Sequence, residues 1–130
     1  MTNQAIKYLK QHDPSTPFML MLSYYAVHQP IEAKPNDIEH NRREIDTTDF
    51  GNQPSYIEEG TGRTKMRQDN PAYAAMVENL DYNIGKLLAH LASIGVMENT
   101  ILVFSSDHGG LSNDGYNNCL LYTSDAADED

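Results

Sequence analysis

The sequence predicts an α/β fold, a βαβ unit with a long polar loop. Two continuous apolar runs of strand length, residues 18–25 and 100–105, lie either side of one long amphipathic stretch over 73–91. Neither run alternates apolar with polar, so each reads as a strand buried on both faces, as in a parallel sheet. Strand, helix and strand in that order, with a long crossover, close a parallel pair.

Along the chain, Ile6 and Leu9 have the spacing expected near the end of a helix over residues 4–11. Asp13-Pro14-Ser15-Thr16-Pro17 stops it, since two prolines and an aspartate favour a turn into extended chain. Phe18-Met19-Leu20-Met21-Leu22-Ser23-Tyr24-Tyr25 is the first expected strand. From Ile31 to Asp69 periodicity is lost and charge, Asn, Pro and Gly accumulate. A loop of that length is functional or disordered, and disorder is the expectation for 47–65. Asn70-Pro71 then opens a helix, Asn as N-cap and Pro at the first helical position. Tyr73, Met76, Val77, Leu80, Ile84, Leu87, Leu88 and Leu91 form its apolar stripe, and Gly95 closes it as a left-handed residue. A turn at Glu98-Asn99 leads into Thr100-Ile101-Leu102-Val103-Phe104-Ser105, the second expected strand.

The chain has 130 residues, room for one domain at most. Nine basic against nineteen acidic side chains leave a charge of −10, which argues against nucleic acid or an anionic membrane surface as partner. No apolar run approaches the ~20 residues of a membrane span, and no signal peptide opens the sequence. Cys119 is the single cysteine, so neither a disulfide framework nor a multi-cysteine metal site is expected. Residues 119–130 continue no earlier pattern and resemble the translation of a transposon adapter used in sequencing libraries. The expected domain is therefore 1–118, with 119–130 a non-native tail. Without the four acids of that tail, fifteen acids face nine bases and the charge is −6.

Chemistry concentrates after the two expected strands. Ser106-Asp107-His108-Gly109-Gly110 follows the second, at the carboxyl edge where parallel sheets collect ligands. Asp107 offers a hard oxygen and His108 an imidazole nitrogen, both able to hold a divalent cation. The two glycines permit a sharp turn and close approach. The plainer reading is a strand-to-loop turn with Asp107 capping and His108 solvated. Tyr24-Tyr25-Ala26-Val27-His28-Gln29-Pro30 ends the first strand, and a parallel pairing delivers His28 to the same edge. His12, His40 and His90 have no such placement, and His90 reads as a solvated helix residue.

These segments resemble the sulfatases. Residues 17–30 resemble their strand and histidine loop, 73–81 with 85–88 their following helix, and 99–112 their metal-binding strand and loop, in family order. The resemblance implies the alkaline-phosphatase-like sheet-and-helix sandwich, with this chain a middle segment of it. It also implies sulfate-ester hydrolysis by a formylglycine nucleophile made from a Cys or Ser, with a divalent cation neutralising the sulfate oxygens. His28 matches the histidine that contacts the sulfate near the leaving oxygen, and Asp107 matches a carboxylate metal ligand. His108 stands where many sulfatases carry Asn. Calcium is the family's usual cation and prefers oxygen, whereas a nitrogen ligand suits manganese or zinc better.

Asp-His-Gly at this place also resembles the phosphonate and phosphate diester hydrolases of the superfamily. No Cys/Ser-x-Pro/Ala-x-Arg motif for the nucleophile occurs here, nor do the paired acidic ligands or the lysine expected after the Asp-His-Gly-Gly loop. The chain alone is thus expected to be inactive. Its parent is expected to be a periplasmic or secreted enzyme acting on a sulfated small molecule or glycan. The alternatives are a phosphonate or phosphodiester hydrolase and a short non-enzymatic cation-binding protein.

Overall fold

Apolar residues on a helical period make two of the three helices, and local pairing makes the small sheet. The computed structural model describes residues 1–13, 15–59 and 62–107. In chain order they form α1 (Thr2–Gln11), α2 (Pro35–Asp46), β1 (Tyr56–Glu59), β2 (Gly62–Lys65), α3 (Pro71–Ser93) and a single 3-10 turn, Met97–Asn99. The described residues divide into two compact units: Met1–Ala26 with Glu78–Phe104, and Val27–Val77 with Ser105–Asp107.

In the first unit α1 buries Thr2, Ala5 and Leu9, an i, i+3, i+7 stripe, and α3 adds the buried Leu91. The Thr2 and Tyr24 hydroxyls share a 2.7 Å hydrogen bond, and the Lys86 ammonium donates to Asn3 Oδ1 at 2.8 Å. The proposed turn after α1 is present and its chemistry is visible. The Asp13 carboxylate accepts from the Ser15 amide at 2.9 Å and its hydroxyl at 2.8 Å, an Asx turn. His12 stacks on Tyr8, meets Phe18 edge-on and donates from Nε2 to the Thr16 carbonyl at 2.8 Å. These contacts bend the chain from α1 into the apolar run.

That run is not in a β-ladder, which corrects the expected strand. Phe18, Leu20, Leu22 and Tyr24 are half-buried, while Met19, Met21, Ser23 and Tyr25 are exposed. The period is therefore 2, with one face covered instead of two. The second expected strand differs more: residues 101–106 carry no ladder, and Ile101 and Val103 are 92 % and 85 % exposed. The parallel pairing of a βαβ unit is accordingly not formed among the described residues. A central parallel strand needs a neighbour on each edge and a layer on each face, and these two runs have neither there. The α/β class holds, in a mixture of helices with a small two-stranded sheet.

The second unit holds what the sequence left as polar loop. Pro35 at the first helical position starts α2, and Ile38, Asn41 and Ile45 line one face of it. Asn41 is buried and donates to the Asp37 carbonyl at 2.9 Å. A polar residue in the middle of the stripe is what hides this helix from a hydrophobic pattern. The segment expected to be disordered contains an antiparallel hairpin, with Tyr56 opposite Lys65, Ile57 opposite Thr64 and Glu58 opposite Arg63. β-Branched Ile57 and Thr64 favour a pleated pair, and a Met66 amide bond to the Ser55 carbonyl extends it by one step.

α3 begins as the sequence indicates. Asn70 Oδ1 accepts from the Ala72 and Tyr73 amides, both at 3.1 Å, closing the N-cap. Tyr73, Ala75 and Met76 are buried at this end. At the other end Gly95 has φ 75°, its amide bonds to Ala92 and the Val96 amide reaches Leu91. That pair of bonds is a Schellman closure, and the positive φ is why glycine stands there.

Candidate functional site

His28 lies just past the first apolar run, on a bend made by Ala26 through Pro30, and its side chain is exposed. Its Nδ1 lies 2.8 Å from the Gln29 carbonyl. A carbonyl only accepts, so Nδ1 carries the proton, and in the neutral ring Nε2 is the lone-pair nitrogen. The Gln29–Pro30 peptide bond is cis.

Asp107 ends the second apolar run and is exposed, with the Ser106 hydroxyl 3.5 Å from its Oδ1. His28 and Asp107 belong to the same compact unit. His108, Gly109 and Gly110 lie outside the described residues, as does the tail expected at 119–130. Among the described residues no three His, Cys, Asp or Glu side chains gather as a cation would require. The described chain thus displays a histidine and a carboxylate on separate bends, without assembling a closed site around them.

His90 corrects a simpler expectation. It is half-buried rather than solvated: Nε2 is buried with no hydrogen-bond partner, and Nδ1 is 3.5 Å from the Ser93 hydroxyl. Sequence reasoning also passed over a cluster on the hairpin. The Arg63 guanidinium lies 4.8 Å from the centre of the Tyr56 ring and the Lys65 ammonium 4.5 Å from it. Lys65 is buried and pairs with Asp69 at 2.5 Å. Arg67 lies over Phe50 and donates from Nε to the Gln53 carbonyl at 2.6 Å. The available signal was Arg63, Lys65 and Arg67 at strand spacing, which places them on one side of an extended chain.

The sulfatase family profile matches residues 1–129. The chain is 26 % identical over 127 residues to an arylsulfatase of Clostridium perfringens, covering 88 % of this chain and 26 % of that protein. It is 30 % identical over 120 residues to mouse arylsulfatase J, covering 92 % of this chain and 17 % of the relative. A multifunctional alkaline phosphatase superfamily protein, PehA of Trinickia caryophylli, is 27 % identical over 135 residues, with 83 % and 26 % covered. The chain belongs to the sulfatase family. It spans between a sixth and about a quarter of the length of these relatives. Among the described residues no helix is long and apolar enough to cross a membrane.

Proposed function

We propose that this chain is part of an enzyme that hydrolyses sulfate esters, supplying one substrate-contacting histidine and part of a cation site. The family match along almost the whole chain carries this reading. His28 is given the contact with the sulfate near the leaving oxygen. Its exposure, and a carbonyl that holds Nδ1 protonated, support that role, because the ring orientation is set and Nε2 is defined chemically. In its protonated form the ring can donate to the oxygen that gains charge as the ester breaks.

Asp107 and His108 would hold a divalent cation, calcium by family habit, with manganese or zinc accommodated by the His108 nitrogen. The cation supplies neutralisation of sulfate charge when bound. The exposed Asp107 carboxylate suits a hard ion, and further ligands must come from residues beyond those described. The nucleophile is not encoded in this stretch, since no Cys/Ser-x-Pro/Ala-x-Arg motif occurs in it. The chain alone should therefore not turn over aryl sulfates. Periplasmic or secreted placement of the whole enzyme is part of the same proposal.

The Asp107-His108-Gly109 run, together with similarity to an alkaline phosphatase superfamily protein, supports a second reading, hydrolysis of phosphonate or phosphate diesters. Kinetics of the complete enzyme on paired aryl sulfate and aryl phosphonate esters separate the two. Sulfate turnover falling at least 100-fold in His28→Ala, with folding retained, is the expected result. Undiminished turnover in that variant removes His28 from the reaction, and cleavage of the phosphonate alone replaces the first reading by the second.

A further inference from the structure

We propose that Arg63, held on the face of Tyr56, is a recognition residue for an anionic substituent of a glycan substrate, a sulfate or carboxylate other than the one hydrolysed. The choice of ligand rests on the sulfate-ester reading above. Three of the nine basic residues of this acidic chain fall within residues 63–67, at every second position. The structure gives them different tasks. Lys65 is buried and consumed by Asp69, and Arg67 is consumed by the Gln53 carbonyl and the Phe50 ring. Arg63 is exposed, has no carboxylate within ion-pair distance among the described residues, and lies 4.8 Å from the Tyr56 ring centre. Glu58 stands opposite it in the ladder, yet the guanidinium rests on the ring.

A cation held over an aromatic ring is restrained in position, and the guanidinium's planar fork of donors matches two oxygens of a sulfate or carboxylate. Lys65 approaches the same ring at 4.5 Å and is anchored by Asp69, so the ring that carries Arg63 is itself fixed by the hairpin. An arginine with its stem ordered beforehand loses less entropy on binding than a freely moving one. The hairpin lies in the same compact unit as His28 and Asp107.

The test is calorimetric binding of a monosulfated and a disulfated disaccharide to the complete enzyme, carried out at one fixed salt concentration. Arg63→Ala should weaken the disulfated ligand about tenfold and largely abolish its advantage over the monosulfated one. Arg63→Lys should recover only part, because an ammonium lacks the planar fork. Tyr56→Leu should resemble Arg63→Ala in direction while keeping the charge. Unchanged binding of the disulfated ligand in Arg63→Ala, or an equal loss for both ligands, overturns the proposal. A wild-type enzyme that does not prefer the disulfated ligand overturns it as well. Should the enzyme cleave no sulfate ester while Arg63-dependent preference persists, the hydrolytic reading falls and this subsite stands.

Discussion

The Lys65 ammonium sits 2.5 Å from the Asp69 carboxylate, and its side chain is only 6 % exposed. A buried ammonium tolerates burial because its charge is compensated, so removing the partner leaves the desolvation cost standing. Asp69→Asn should destabilise the β1–β2 hairpin by roughly 3 kcal/mol. Hydrogen exchange in those strands should accelerate on the order of 100-fold, since each 1.4 kcal/mol is a factor of ten. Replacing both partners, Lys65→Met with Asp69→Leu, should recover much of that loss. Equal protection in wild type and Asp69→Asn would show that the pair does not hold the hairpin.

The turn after α1 should respond to acid. Hydrogen bonds from the Ser15 amide, then from its hydroxyl, hold the Asp13 carboxyl below its usual value of 3.8, with a smaller contribution from His12. A depressed folded-state value means that the turn is favoured by ionisation above pH 3.8 and loses that support as pH falls through the lower value. Carbon NMR titration of Asp13 should therefore give a midpoint under 3.8, and Ser15→Ala should move it upward. A midpoint unmoved by Ser15→Ala would contradict the share assigned to the hydroxyl and leave the amide as the cause.

Folding of the 130-residue chain should be weakly cooperative. Among the described residues only Ala5, Leu9, Tyr73, Ala75, Met76 and Leu91 are buried apolar side chains. Met19, Met21, Ile101, Val103 and Phe104 meanwhile stand 78–92 % exposed. Burying a residue of that size contributes ~1.5–3 kcal/mol, so five left outside forgo an amount comparable with the whole stability of a domain. Calorimetry should show a broad, low-enthalpy transition, accompanied by binding of an apolar dye. A sharp two-state transition of the monomer would refute it.

The proposed cation loop is best probed in the complete enzyme by two substitutions with different outcomes. Asp107→Ala should lose bound metal and activity together, because it removes a hard anionic ligand. His108→Asn should keep metal but shift preference toward calcium and away from manganese and zinc. Metal analysis after equilibration with a mixture of the three ions reads both effects. Identical content and preference in His108→Asn would leave that residue a neighbour of the site only.

Local chemistry was legible wherever a few adjacent residues determine the outcome. Asn70 and Pro71 start α3 as expected, Gly95 ends it at positive φ, and Asp13 to Ser15 form the expected turn, because caps and turns are satisfied within four or five residues. His28 and Asp107 stand on exposed bends after the two apolar runs, where the order of residues alone puts them. α2 was missed because Asn41 interrupts its stripe, and the hairpin was missed because Lys65 stands at a buried position. Both are stabilised by polar pairing, which a hydrophobic pattern does not record.

By itself, then, the order of residues determined the α/β class, the caps and turns, and the family to which the chain belongs. Tertiary structure alone decided whether the apolar runs become strands. Residues 18–25 and 101–106 have strand composition, but a β-strand satisfies its backbone only through a neighbour, and no ladder joins them among the described residues. Tertiary structure likewise decided which cation of the row at 63–67 stays outward. The Asp69 carboxylate and the Gln53 carbonyl engage Lys65 and Arg67, and Arg63 is left on the Tyr56 ring because Coulomb attraction and desolvation depend on distances that the sequence does not contain.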